Sequence, residues 1–343
     1  FAIADRGLFA ATNFLANIVL ARWMRPEEYG AFATAYAIFL LLTTFHSAML
    51  AEPMMVFGSG KYAPHFRRYL AFGYAGHMVI SQAASAILLL AGVIVQRLGP
   101  EELGLALLGL ALAAPFIMLL WLLRQVFYIV ARPQWAAAGG ALYLAAMLAG
   151  LYGVNQLEAL SSLAAFAVVG AAALLTCVLY TAILRPQWRP AADAPSWREM
   201  LRDHWTYGRW STATAGLTWL PGNIYYAVLP IWVGLEGSAA LKAMQNFVMP
   251  ILLTITAVGL VVLPEYVRTL EKHGRRGLNR AARSTLLLLL AAAGAYWVVL
   301  AVVRAPVIHW LYNGQYDAYA DLLLVVGLVP FTASISGVLG SMI

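Results

Sequence analysis

Residues 103–129 read LGLALLGLALAAPFIMLLWLLRQVFYI, an apolar run whose one charged side chain is Arg124. A helix needs about 20 mostly apolar residues to cross the hydrocarbon of a bilayer. This run is long enough and carries no strand-like alternation. Working outward from it, comparable stretches fall at 3–24, 31–57, 70–95, 136–155, 159–184, 209–233, 241–263, 284–303 and 318–341. The expectation is therefore an all-α polytopic membrane protein with ten spans. A membrane β-barrel is disfavoured because period-two patterning is missing. Helices then satisfy the backbone polar groups inside the membrane.

The composition agrees. Of the 343 residues, 62% are hydrophobic and 11% are charged. The mean hydropathy is +0.77. Soluble domains carry roughly 25% charged residues, so a soluble enzyme, a nucleic-acid module and a disordered scaffold all fit poorly. Cys177 is the one cysteine, which excludes an intrachain disulfide and a cysteine-built metal site. The chain opens on Phe1 and stops inside an apolar run at Ile343, and is read as a fragment shortened at both ends.

Orientation follows from lysine and arginine. Assigned to the nearer end of each span, 17 of them fall on one side and 5 on the other. The rich side, with loops 58–69, 130–135, 185–208 and 264–283, is expected in the cytoplasm. The net charge of +7 is thus topological and lipid-facing, and no nucleic-acid partner is expected. The outer loops are short, the longest being 304–317. Trp197-Arg198-Glu199-Met200-Leu201-Arg202 is amphipathic, a pattern that commonly lies on the membrane surface.

A shift of 215 residues sets Gly99 and Pro115-Phe116 on Gly314 and Pro330-Phe331 without a gap. This points to an internal duplication, with two pseudo-symmetric six-helix lobes and the second truncated. Residues 1–184 would form the first lobe, 185–208 a cytoplasmic linker, and 209–343 the four remaining spans of the second. Parallel halves around a central cavity suit alternating access.

Particular residues carry a family resemblance. Asp5-Arg6-Gly7, Asn13-Phe14-Leu15, the run from Leu20 to Phe32 (LARWMRPEEYGAF), Leu50-Ala51-Glu52-Pro53-Met54 and the run from Leu311 to Ala320 (LYNGQYDAYA) resemble segments of bacterial oligosaccharide flippases. These are the Wzx-type transporters of the multidrug/oligosaccharidyl-lipid/polysaccharide (MOP) exporter superfamily, which also holds the MATE drug exporters and the lipid II flippases. The resemblance implies a MATE-like fold of twelve to fourteen spans. It implies movement of an undecaprenyl-diphosphate-linked oligosaccharide across the bacterial inner membrane, for polysaccharide biosynthesis. Membrane lipids and glycan-assembly enzymes are the other partners it implies, with no cofactor and no metal.

Such a substrate needs a wet cationic cavity, a lateral opening for the lipid tail and two access states. Arginine suits the diphosphate because its planar fork stays charged. Arg6 in span 1 is the first candidate, with Asp5 and Glu52 as possible ion partners; the alternative is a structural salt bridge. Arg124 in span 4 and Arg209 at the entry to span 7 follow, with topological anchoring and interfacial snorkelling as their alternatives. Asn13 and Asn17 share a face of span 1 and can serve sugar hydroxyls or interhelical bonds. Asn223 belongs to a break expected in span 7 at Leu220-Pro221-Gly222-Asn223, since proline removes a helix bond. His46 and His77 titrate near neutral pH, although a lone histidine in a bundle is more often a hydrogen-bonding residue.

No P-loop, Gly-x-Ser-x-Gly elbow or metal-spaced cluster is present. A transporter is therefore expected rather than an enzyme. A cation-coupled multidrug exporter is the alternative within transport; acidic and aromatic cavity residues would favour it. A membrane glycan polymerase or ligase would need a larger outer loop.

Overall fold

The computed structural model describes residues 2–189 and 195–342; the side chains of residues 2–4, 6, 218, 221, 227 and 260 lie outside that description. Among the described residues there are helices and turns but no strand. The elements are α1 (Ala2–Trp23), α2 (Pro26–His46), α3 (Glu52–Gly58), α4 (Phe66–Leu98), α5 (Glu101–Ile129), α6 (Pro133–Gln156), α7 (Ser162–Leu184), α8 (Trp197–Tyr312), α9 (Leu322–Val326) and α10 (Val329–Gly340). Seven helical segments of the described chain are long and apolar enough to cross a membrane.

Local chemistry sets several boundaries. Pro26 and Pro133 open α2 and α6, where the missing N–H removes no helix bond. The Ser161 hydroxyl accepts from the Ala164 N–H at 3.2 Å and caps α7. The buried Glu28 carboxylate accepts from the Ser162 N–H at 2.7 Å, placing an anion at the same positive helix end. Gly109 brings α5 against α7 so closely that a Cβ there would sit 2.9 Å from the Leu163 Cα. Small residues permit such approaches between membrane helices.

The second expected span is not one regular helix. A π-helical turn, Ser47–Ala51, separates α2 from α3. Pro53 explains it: proline has no N–H to give the Met49 carbonyl four residues back. The Glu52 N–H bonds instead to the Ser47 carbonyl, five residues back.

The break expected at Leu220–Asn223 is also corrected, because the backbone there is helical. The departures within α8 lie at Gly234 and Gly274, whose φ angles of 73° and 63° are left-handed. Glycine takes that conformation without a Cβ penalty. The Tyr296 hydroxyl donates to the Phe247 carbonyl at 2.6 Å. The Tyr312 hydroxyl donates to the Ala243 carbonyl at 2.9 Å. These pairs are nested about Gly274, so α8 doubles back there as an antiparallel hairpin.

The glycines matched in the proposed repeat differ in backbone. Gly99 is extended with φ −139°, whereas Gly314 is left-handed with φ 82°. Pro115 lies inside α5, and Pro330 in the first turn of α10.

The chain divides into two compact units, one of residues 1–16 and 23–239, the other of 17–22 and 240–343. In the first, α5 is the central helix, packed against α2, α4 and α7. In the second, Arg22 donates to the carbonyls of Trp310 at 3.1 Å and Leu311 at 3.3 Å. Gln315 returns a bond to the Arg22 carbonyl at 2.9 Å.

Candidate functional site

The polar centre of the first unit is built from α1 and α5. Asp5 is fully buried. Its two carboxylate oxygens lie 2.8 and 2.9 Å from the Arg124 Nε, and the Tyr128 hydroxyl donates to it as well. Arg124 and Tyr128 are four apart, so α5 presents both from one face. The Arg124 guanidinium lies 4.2 Å from the centre of the Phe9 ring. Phe9 in turn meets Trp121 edge to face at 5.8 Å.

The expected pairing of Arg6 with Asp5 or Glu52 lies outside the described residues, because the Arg6 side chain does. Glu52 accepts a hydrogen bond from the Ser211 hydroxyl of α8. Asn13 donates to the Phe9 carbonyl at 3.1 Å, a bond inside its own helix. Asn17 belongs to the second unit. Asn223 donates to the Trp219 carbonyl at 3.3 Å. Arg209 is exposed and lies over the ring of Trp210 at 5.4 Å, the geometry expected of an interfacial arginine. Of the described site residues, Arg124 is bound into the α1–α5 centre.

A second centre, missed from sequence, joins the start of α8 to the π-turn. His204 donates from Nδ1 to the Met49 carbonyl at 3.1 Å, the acceptor that Pro53 leaves without its usual partner. Its Nε2 then accepts from the Tyr69 hydroxyl at 2.6 Å. A Cβ on Gly208 would meet the Ala48 carbonyl oxygen at 3.0 Å, so glycine allows this close docking. Lys61 lies 2.7 Å from both Glu199 and Asp203, and the Tyr62 hydroxyl donates to Asp203 at 2.6 Å. The amphipathic stretch 197–202 is therefore the first part of α8, with its Glu199 and the following Asp203 turned onto Lys61. The adjoining segment is tied down too: Gln187 N–H bonds to the Arg67 carbonyl at 2.9 Å, and Arg67 Nε to the Arg185 carbonyl at 2.8 Å.

The electrostatics of this tie have clear causes. Hydrogen bonds to Asp203 and Glu199 raise the Lys61 pKa above the ordinary lysine value. Burial pushes Asp203 upward, but its bonds from Lys61 and Tyr62 outweigh that and leave it lowered. Burial and the Asp203 bond push Tyr62 up to about 12. Burial lowers His204, against the smaller effect of the Met49 carbonyl.

A third pair was also hidden in the sequence. His46 Nε2 lies 3.1 Å from His77 Nδ1, and both rings are buried.

The fold is shared with solved membrane transporters. The chain is similar to a multidrug resistance MATE family transporter of the MOP superfamily in an inward-facing conformation, with TM-score 0.72, 15% identity and coverage of 99% of this chain and 84% of that one. It is similar to the lipid II flippase MurJ in an inward closed conformation, with TM-score 0.71, 12% identity and coverage of 99% and 76%. A MOP superfamily transporter from Pyrococcus furiosus, described as having a binding pocket of reverse polarity, gives TM-score 0.59 and 14% identity over 99% and 81%. No protein-family model matches the chain, and no curated protein matches it in sequence.

Proposed function

We propose that this chain belongs to a carrier that moves an undecaprenyl-diphosphate-linked oligosaccharide from the inner to the outer leaflet of the bacterial inner membrane. It works by alternating access between two lobes, 1–184 and 209–343, joined through 185–208. Ten spans are present, and transport rather than catalysis is the activity. The fold likeness to a lipid II flippase supports a lipid-linked substrate.

The observation that carries the reading is the capture of Asp5. Its carboxylate is occupied by Arg124 and Tyr128 and is not left open for a cationic drug. Among the proposed site residues Arg6, Arg124 and Arg209 outnumber Asp5 and Glu52, which leaves an excess of positive charge. That excess suits a diphosphate, with Asn13, Asn17 and Asn223 as partners for sugar hydroxyls.

A multidrug exporter is the second reading, favoured by the likeness to a multidrug resistance transporter. A pocket of reverse polarity on the same fold makes local charge, not architecture, the deciding feature.

The test uses the full-length protein in cells that lack their own glycan exporter. Wild type should restore surface glycan, and Arg6→Ala should insert normally but export about tenfold to a hundredfold less, the effect of losing one charge-assisted bond. Arg6→Lys should retain part of the activity. Full export by an Arg6→Ala/Glu52→Ala double variant would reduce Arg6 to an ion-pair partner. Drug resistance without glycan export would replace this reading with the second.

A further inference from the structure

The second arm of the α8 hairpin opens on a row of arginines. Residues 264–283 carry six basic side chains, Arg268, Lys272, Arg275, Arg276, Arg280 and Arg283, against two acids, Glu265 and Glu271. Both acids precede the left-handed Gly274 at the tip, and the next acid in the chain is Asp317. The positive charge beyond Gly274 therefore meets no negative residue along its own arm.

Helical spacing sorts this arm into two faces. Leu278, Ala282, Leu289, Ala293 and Leu300 are buried and recur at the interval of one helix face. Arg276, Arg280, Arg283 and Leu287 share the opposite face, and all four are exposed. Charge gives way to hydrocarbon between Arg283 and Leu287. Val298, three turns further along the same face, is also exposed. The step from Arg283 to Leu287 rises about 6 Å, which matches a headgroup layer of about 5–8 Å on each side of a bilayer. The row thus passes from headgroup level to hydrocarbon level after its third arginine.

Basic residues of loop 58–69 are answered within the chain. Lys61 is held by Glu199 and Asp203, and Arg68 by the Trp188 carbonyl and the ring of Trp197. On the hairpin, Arg268 reaches Glu265 at 3.9 Å. Among the described residues no carboxylate pairs with Arg276, Arg280 or Arg283. Like charges one turn apart on a helix repel each other, so an anion lying along the row stabilises it. A guanidinium binds phosphate oxygens through two parallel N–H groups. Leu287 beneath the row favours an anion that carries hydrocarbon, which free phosphate does not.

We propose that Arg276, Arg280, Arg283 and Leu287 form a docking row for anionic phospholipids, whose acyl chains lie along Leu287 and Val298. The headgroup phosphates sit between neighbouring arginines and relieve their repulsion. A zwitterionic lipid brings its own ammonium group and cancels part of that gain. The attachment fixes the depth at which the hairpin tip sits in the membrane. It depends on the membrane fold and not on the carrier reading, so the test omits a transport substrate.

The full chain in detergent, with Cys177→Ser and Asn279→Cys, carries a donor fluorophore beside the row, where Asn279 is exposed. Energy transfer is measured to phosphatidylglycerol and to phosphatidylcholine, each bearing the same acceptor on an acyl chain. Phosphatidylglycerol should bind more tightly, and added salt should shrink its advantage. One arginine near an anionic lipid surface accounts for about fivefold in affinity. Arg280→Gln should therefore weaken phosphatidylglycerol binding about fivefold, and Arg276→Gln/Arg280→Gln/Arg283→Gln about a hundredfold, with phosphatidylcholine unaffected. Glutamine is a good helix former, and an unchanged melting temperature checks that the variants fold. The control, Arg132→Gln/Arg198→Gln/Arg202→Gln, removes the same charge from other exposed positions and should leave the signal unchanged. An equal loss in the control would mean diffuse attraction and overturn the proposal. So would equal affinity for the two lipids, or displacement of the labelled lipid by inorganic phosphate as readily as by unlabelled phosphatidylglycerol.

Discussion

Asp5 and Arg124 lie 119 residues apart in sequence, yet the Arg124 Nε approaches both carboxylate oxygens, at 2.8 and 2.9 Å. Asp5 is wholly buried and the Arg124 side chain is 18% exposed. Removing one member strands the other charge. Arg124→Ala should therefore destabilise the protein by about 3–5 kcal/mol, read by thermal unfolding in detergent. The Asp5→Asn/Arg124→Gln double variant should recover most of that loss. Equal losses in single and double variants would mean that the cost does not come from stranding the Asp5 charge.

Packing of α5 on α7 makes a second forecast. A Cβ at Gly109 would meet Leu163 backbone atoms at 2.9 and 3.0 Å, and backbone cannot move aside as a side-chain tip can. Gly109→Val should cost roughly 1–3 kcal/mol through overpacking. Gly153, with nothing within 4 Å of its added Cβ, is the control: Gly153→Ala should leave the melting temperature unchanged or slightly raised.

Acid should loosen the contact between α8 and the π-turn. The His204 pKa is lowered by burial, so below the usual histidine value of about 6.5 the unfolded chain binds a proton that the folded chain resists. Stability is then present above that value and falls as the pH drops. Hydrogen exchange of residues 58–66 and 197–208 should be faster at pH 5.5 than at pH 7.5, after correction for intrinsic rates. His204→Gln should remove most of the difference. Lys61, whose pKa is raised, contributes in the opposite sense: its share of stability is lost only as the pH rises past the ordinary lysine value.

Membrane topology is tested by single cysteines in a Cys177→Ser background. Cysteines at Ser59 and Gly274 should resist a membrane-impermeant thiol reagent in intact cells, and one at Gly237 should react. The reverse pattern would invert the proposed orientation. The same Gly274 site tests the hairpin: cysteines replacing Phe247 and Tyr296 should crosslink with a short bifunctional reagent.

Much of this architecture was legible in the chain. Apolar length announced the helices, because hydrocarbon leaves backbone groups no partner outside the helix. Proline marked helix starts at Pro26 and Pro133 through its missing N–H. Two local expectations failed for the same reason: helix breaking depends on context. Pro221 lies in a continuous helical run, whereas Pro53 accompanies a π-turn whose Met49 carbonyl finds His204.

The sequence by itself determined the solvent this protein requires and the helical form of its segments, since both depend on properties summed over neighbouring residues. Partner choice depended on the tertiary structure alone. Arg6 adjoins Asp5, but Arg124 holds it; His46 and His77 read as isolated residues and are bonded; His204 lay in a presumed linker and docks on Met49. Each pairing is set by which helix faces meet, and a hydrogen bond of about 3 Å depends on positions that separation along the chain does not encode.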